Sequence, residues 1–273
     1  PNGGMYEVVK GIKLLAEANG VKFVANAEVK NIEVDKLGTA TGIVIDDVLI
    51  PSDIVLSGAD YHHTEQLLPV KYRQYTENYW NTRKFAPSSL LFYVGFDKKV
   101  ENVSHHTLFF DVDFDAHASY IYDTLEWPKD PLFYANFPSK SDKTFAPEGK
   151  ESATFLIPIA IGLEDTEELR EKYFNIVLER LEKLTNNSLK ESVSFVKSYC
   201  VKDFIDDYNS FKGNAYGLAN TLTQTAFLRP RIKSKKVSNL FFTGQLTGPG
   251  PGVPPALISG KIAAESISKH FGS

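Results

Sequence analysis

The sequence predicts a mixed α/β fold (α+β), with a helix-and-strand layer at both chain ends and an antiparallel sheet with helices between them. Three observations predict it. The first 60 residues read as a helix, a strand meander and a short buried strand ending in a glycine turn. From about Phe85 to Ala160 strand-like runs dominate, separated by prolines and acidic turns. Residues 239–261 read as strand, glycine loop, helix, a layout that brings backbone close to a flat or anionic ligand.

In order, Pro1, Asn2, Gly3, Gly4 and Met5 open with a turn. Val8, Val9, Ile12, Leu15 and Ala16 give an amphipathic helix that stops near Asn19-Gly20. Residues 21–24 and 28–34 read as strands, and residues 40–45 and 47–50 as a hairpin around Asp46-Asp47. Ile54, Val55 and Leu56 form a short buried strand before Ser57-Gly58-Ala59-Asp60. Residues 61–79 are predicted helical, broken at Leu67-Leu68-Pro69.

The middle strands are predicted at 89–96, 107–110, 132–136 and 153–159. Residues 165–184 are the clearest helix: Thr166 caps it, Glu167 and Glu168 suit its first turn, and Leu169, Tyr173, Phe174, Ile176, Val177, Leu181 and Leu184 supply its apolar stripe. Residues 193–201 form another strand and 204–225 read as irregular. Leu240, Phe241, Phe242 and Thr243 form a buried strand. Gly244, Gly248, Gly250 and Gly252 follow, and a helix starts near Pro254-Pro255, where proline is tolerated in the first turn.

Composition bounds the function. The 273 residues are 42% hydrophobic and 23% charged with net charge −4, which suits one large or two small globular domains and argues against nucleic-acid binding. Cys200 is the sole cysteine, so an intramolecular disulfide is impossible and a reducing compartment is expected. The sequence starts at Pro1 and reads as part of a longer protein.

His62-His63 and His105-His106 tempt a metal reading. Adjacent residues face different ways, so each pair gives at most one ligand to a shared site; no metal is expected, and surface or substrate-lining histidine is the preferred reading. Arg229, Arg231, Lys233, Lys235 and Lys236 read as a solvated basic loop, with contact to anionic headgroups as the sharper alternative. The aromatics Phe92, Tyr93, Phe109, Phe110, Tyr120, Tyr122, Trp127, Phe133 and Tyr134 read first as sheet packing and second as an apolar tunnel. Walker-type and G-x-G-x-x-G signatures are absent from the sequence.

The closing motif, Leu240-Phe241-Phe242-Thr243-Gly244 through Pro249-Gly250-Pro251-Gly252-Val253-Pro254, resembles the C-terminal signature of bacterial-type phytoene and other carotenoid desaturases. Gly213-Asn214-Ala215-Tyr216-Gly217-Leu218, Thr221-Leu222-Thr223-Gln224-Thr225-Ala226 and Arg229-Pro230 look like the same family's preceding block. So do Gly3-Gly4-Met5, Asn26-Ala27-Glu28-Val29 and Ser57-Gly58-Ala59-Asp60. Gln245 and Leu246 stand where many relatives carry small residues, and Pro251 and Pro255 where alanine and glycine are common.

The resemblance implies an FAD-dependent oxidoreductase acting on CH–CH groups, with the N-terminal Rossmann-type βαβ unit outside this sequence. Residues 1–60 and 236–273 would belong to a discontinuous FAD-binding domain and residues 61–235 to the substrate domain. It implies cofactor contacts at Val29, Gly244, Gln245, Gly250, Gly252, Val253 and Pro254, and names no catalytic base. A carotenoid substrate, quinone or oxygen as acceptor, and a cytoplasmic enzyme attached peripherally to a membrane surface follow. The rival readings are a non-redox isoprenoid-binding protein of the same fold and an amine-oxidase-like flavoenzyme.

Overall fold

The computed structural model describes residues 2–272; Pro1, in the expected opening turn, lies outside the described residues. The chain divides into two compact units. One comprises the residues up to Ala25 with Ser89–Cys200, the other Asn26–Ser88 with the residues from Val201 on. These units are divisions by packing, drawn separately from the functional division expected at 60 and 235. Tyr61 stacks on Phe242 with ring centroids 3.8 Å apart and donates its hydroxyl to the Arg231 carbonyl, so segments on either side of the expected cuts share one core. Near the start of the chain, the Gly3 amide donates to Asp142 at 2.9 Å, which ties the opening turn to the sheet unit.

The first unit carries helix α1, Tyr6–Ala18. Its five-stranded sheet consists of β5 (Ser88–Phe96), β6 (His106–Phe109), β7 (Phe133–Asn136), β8 (Glu151–Ile159) and β9 (Val193–Tyr199), ordered β6-β7-β8-β5-β9. The pairs β6–β7, β7–β8 and β5–β9 run antiparallel, as the sequence predicts for this region. Alternate residues of β8, from Glu151 to Ile159, are buried, which is the period-two pattern of a strand with one face on a core.

Helix α4 covers Phe114–Ser119 and α5 covers Glu167–Thr185. The Thr166 hydroxyl accepts from the Leu169 amide at 3.3 Å, the N-cap read from the sequence. The buried face of α5 is turned slightly from the predicted stripe: Leu178 is buried and Leu184 is 46% exposed. The aromatic residues of this unit mostly pack the sheet. Phe109 stacks on Phe133 at 4.3 Å and Phe92 meets Phe174 at 5.3 Å, whereas Phe110 stays exposed.

His117 in α4 is buried; its Nε2 donates to the Pro158 carbonyl at 2.7 Å and its Nδ1 accepts from the Leu132 amide at 2.7 Å. That pairing requires the neutral ring, and burial holds its pKa below the ordinary value of 6.5. The unfolded chain therefore binds the extra proton more readily. His117's contribution is complete above pH 6.5 and is lost as pH falls below it, at no more than about 1.4 kcal/mol per pH unit. Urea titrations at pH 7 and pH 5, read at the exchange protection of the β7 and β8 amides, should show a smaller pH loss in His117→Gln than in the parent; an equal loss refutes the assignment.

The second unit holds β1 (Val29–Val34), β2 (Ala40–Ile45) and β3 (Val48–Pro51) as an antiparallel meander, and β4 (Val55–Ser57) paired in parallel with β10 (Leu240–Phe242). Asp46 and Asp47 both take positive φ, 48° and 61°, the two-residue hairpin turn that right-twisted strands favour. Helices α2 (Tyr61–Gln66), α3 (Glu77–Asn81), α6 (Val201–Tyr208) and α7 (Val253–Phe271) complete it.

Three sequence expectations change. Residues 21–24 form no strand, and Phe23 and Val24 are exposed, because no ladder partner meets them among the described residues. Only Tyr61–Gln66 and three further residues, 77–79, of the expected 61–79 helix are α-helical: the expected break at Leu67-Leu68-Pro69 is present, but residues 70–76 do not resume the α-helix after it. Helix α6 occupies the start of the stretch read as irregular.

Candidate ligand-binding clefts

The loop after β10 is pinned at its first two residues. The Thr243 amide donates to the Ser57 carbonyl at 2.9 Å, prolonging the β4–β10 register. Fully buried Ser259 of α7 then accepts from the Gly244 amide at 2.8 Å, lies 2.7 Å from the Thr243 hydroxyl, and donates to the Ala256 carbonyl at 2.6 Å. One hydroxyl thus fastens the strand end to the first turns of α7. Gly244 at φ +102° allows the chain to turn away at once, in a region closed to residues with a Cβ.

A cleft of about 420 Å³ opens beside this joint. Gly58, Ala59 and Asp60 line it, with Thr243, Gly244 and Gln245 from the loop, Ala256 from the first turn of α7, and Phe204, Tyr208 and Asn214. A polar chain crosses its lining. Asp60 Oδ1 caps α2 by accepting from the His62 amide at 2.9 Å, and Oδ2 accepts from Asn214 Nδ2 at 3.1 Å. Asn214 Oδ1 in turn accepts from Gln245 Nε2 at 3.2 Å. Three separate motifs of the sequence are therefore fixed to one another.

A second cleft, of about 530 Å³, lies on the other side of the Ser57–Ala59 turn and shares Gly58 and Ala59 with the first. Its wall is mainly apolar, from Val29, Ile32, Ile43, Ile50 and Leu56, with Glu28 and His63 as polar members. Burial holds His63 below the ordinary histidine pKa, with Asp60 and Glu28 pulling it back upward. The two clefts share the Gly58–Ala59 turn, and each lies within the size range of small-molecule sites.

The residues implied by the resemblance divide between several places. Val29 lines the second cleft, and Gly244 and Gln245 line the first. Gly252 is the N-cap of α7, with Val253 and Pro254 in its first turn. Gly250 packs on the Arg229 guanidinium, which would lie 3.0–3.1 Å from an added Cβ.

The histidines scatter: His62 pairs with Glu77 at 3.0 Å, His105 with Ser141 at 2.7 Å and His106 with Tyr134 at 2.6 Å. Among the described residues no cluster of three or more His, Cys, Asp or Glu is placed to hold a metal. The basic run is only partly solvated: Arg231, Lys235 and Lys236 are exposed, but Arg229 is 3% exposed. It is buried because its guanidinium is enclosed by the Leu218 and Gln245 carbonyls and Asn220.

Of Ser259, Asp60, Asn214 and Gln245, only Gln245 is named from the sequence as a site residue; the other three, and the chain that joins Asp60 and Asn214 to Gln245, are not readable as such. Their roles depend on contacts 15 to 154 positions apart in sequence. The only local signal was the presence of Asp60, Asn214 and Gln245 within Gly-rich blocks.

Glu65, in α2, is another group without a sequence signal. It is buried, accepts from the Gln74 amide at 2.7 Å, and leaves Oε2 without a hydrogen-bond partner. Burial raises its pKa to about 7, only partly offset by the Gln74 and Tyr75 amides. It lines neither cleft and belongs to the core with Tyr61 and Trp80.

No family model matches the chain. Curated relatives do, over nearly its whole length. The carotenoid 3,4-desaturase of Haloarcula japonica is 42% identical over 268 residues, covering 98% of this chain and 54% of the relative. A 4,4'-diapophytoene desaturase of Staphylococcus haemolyticus is 33% identical, covering 97% and 55%. The zeta-carotene-forming phytoene desaturase of Myxococcus xanthus is 29% identical, covering 98% and 52%. The resemblance to carotenoid desaturases read from the motifs is thus borne out, and the chain spans about half the length of the curated relatives it matches.

Among solved structures, an oxidoreductase from Methanosarcina mazei aligns with TM-score 0.64 at 17% identity, over 97% of this chain and 55% of that one. A putrescine oxidase aligns with TM-score 0.60 at 13% identity, over 97% and 53%. These two place the fold with that of oxidoreductases.

Proposed function

We propose that this chain is part of an FAD-dependent carotenoid desaturase, and that its two clefts form one wall of the flavin site. The single observation that carries the reading is the double cleft joined at Gly58–Ala59, in a chain homologous along its length to carotenoid desaturases. A dinucleotide is long, with a flat ring system at each end, and two neighbouring clefts that share a glycine–alanine turn suit that shape. The loop fits it as well: a Cβ added at Gly244 meets nothing nearer than the Gly58 carbonyl oxygen at 3.9 Å, so bare backbone faces the cleft.

Bound FAD supplies the two-electron acceptor for hydrogen removed from a CH₂–CH₂ unit of the substrate. The residues of this chain bind and orient. Ser259 fixes the loop, and Asp60, Asn214 and Gln245 hold the cleft's walls at a set separation. Ala256 places the first turn of the 19-residue α7 at the cleft, so the positive end of the helix borders it and favours negative charge there.

The functional division of the chain into FAD-binding and substrate parts, and the roles of Val29, Gly250, Gly252, Val253 and Pro254, belong to this proposal. So do a carotenoid substrate, quinone or oxygen as acceptor, and peripheral attachment to a cytoplasmic membrane surface. No helix among the described residues is long and apolar enough to cross a membrane.

The test uses the full-length protein. Purified protein should carry a flavin absorbance band and, on liposomes loaded with acyclic carotenoids, give products with added double bonds. Protein without flavin sinks the reading in favour of a non-redox isoprenoid binder, and a flavoprotein that oxidises amines but not carotenoids sinks the substrate class.

A further inference from the structure

We propose that Arg229 gives the flavin cleft a positive charge that no carboxylate among the described residues offsets, and that this charge favours the reduced, anionic state of the cofactor. The proposal rests on the flavin reading above and adds to it a residue that tunes the ligand's charge.

The observation is a buried cation with only neutral partners. Arg229 is 3% exposed. Its Nη2 donates to the Leu218 carbonyl at 2.9 Å and the Asn220 amide oxygen at 2.6 Å, and its Nη1 to the Gln245 carbonyl at 3.3 Å. Its Nε is buried with no hydrogen-bond partner. Among the described residues it forms no ion pair. By contrast the buried Arg170 is paired with Asp165 at 2.6 Å. Burying an unpaired charge is costly, so a residue that served only as a bridge between carbonyls would be better replaced by a neutral donor. The cost falls when an anion comes near.

The position says which anion. Gln245, whose carbonyl Arg229 holds, lines the first cleft. The guanidinium also backs Gly250, two residues before the N-cap of α7. Arg229 itself lines neither cleft; its charge stands behind the Gln245 backbone it holds, beside the first cleft and the positive end of α7, where the buried position weakens screening by water. Arginine keeps its proton there even though burial lowers its pKa.

The test measures the two-electron potential of flavin bound to the full-length protein. Asn220→Asp places a carboxylate oxygen where the amide oxygen now accepts from Nη2, keeping the guanidinium and its geometry while cancelling its charge. It should lower the preference for reduced over oxidised flavin threefold or more. Arg229→Gln should lower it about tenfold, which is about 30 mV for a two-electron couple. Arg229→Lys, which keeps the charge, should stay near the parent.

Potentials within twofold of the parent in both Asn220→Asp and Arg229→Gln overturn the proposal. So does Arg229→Lys shifting as far as Arg229→Gln, which would assign the effect to hydrogen-bond geometry. If Arg229→Gln does not fold, Asn220→Asp alone decides. A full-length protein without flavin overturns the reading beneath; flavin bound at an unshifted potential overturns only the charge.

Discussion

Asn239→Ala should cost the second unit about 3 kcal/mol or more, at least about 1 kcal/mol for each of the three buried polar groups left unpaired. Asn239 is 2% exposed and immediately precedes β10. Its Nδ2 donates to the Ala40 carbonyl at 2.8 Å and the Asp53 carbonyl at 2.7 Å, while its Oδ1 accepts from the Ala40 amide at 2.7 Å. One side chain therefore replaces a ladder where the meander, the approach to β4 and β10 converge. Alanine leaves a buried N–H without its acceptor and two carbonyls without their donor. Asn239→Asp should be no better, because it sets a carboxylate against two carbonyl oxygens.

Because the chain has two units, a single unfolding midpoint is a poor readout. Hydrogen exchange in the full-length protein resolves the site: the Ala40 amide should lose most of its protection, while amides of β7 and β8 keep theirs. An Ala40 protection factor unchanged within threefold, with a stability loss under 1 kcal/mol, refutes the role of Asn239.

What the sequence revealed and what it hid follows from how local each signal is. The Asp46-Asp47 hairpin was legible because its turn depends on two adjacent residues that tolerate positive φ. The Thr166 cap was legible because it too is a local signal, as was the strand-like run at 153–159. The strand–glycine–helix unit at the chain's end was legible because each of its parts occupies consecutive residues. Residues 21–24 look like a strand on the same evidence, but a strand needs a partner, and partners are not a local property.

Arg229 shows the limit most directly. Beside Arg231, Lys233, Lys235 and Lys236 it reads as one more cation on a wet loop. Its burial is decided by Leu218 and Asn220, about ten residues upstream, and by Gln245, 16 residues downstream. Asp60 is similar. Its cap on α2 is a local signal, but its hold on Asn214 spans 154 positions and makes it part of a cleft. The family resemblance supplied what periodicity did not, by pointing to the motifs that meet there.

Gly252→Val should weaken FAD binding to the full-length protein by on the order of 30- to 100-fold, about 2–3 kcal/mol. Gly252 sits at φ +110° and ψ 155°, a backbone region that only glycine occupies without strain of about 1–3 kcal/mol. The space around it is not the obstacle: an added Cβ would lie 3.4 Å from the Pro255 ring. The chain cannot relax by shifting the next residues, because Pro254 and Pro255 fix their own φ and start α7.

Strain at Gly252 is relieved most cheaply by opening the first turn of α7. The first bond to go is that from the Ala256 amide to the Gly252 carbonyl, at 2.9 Å. Ala256 lines the cleft, and its carbonyl is the acceptor of the Ser259 hydroxyl that holds Gly244. The disturbance therefore passes directly to the loop and to the helix end that favours a negative ligand.

Gly20→Val is the control. Gly20 also has positive φ, +85°, with no atom within 4 Å of an added Cβ, and lies in the other unit. It should cost similar local stability and leave flavin affinity intact. Fluorescence titration of FAD into the apo form of each full-length variant separates the two outcomes. Equal affinities in Gly252→Val and the parent would remove Gly252 from the flavin site, and equal losses in Gly252→Val and Gly20→Val would reduce the effect to general destabilisation.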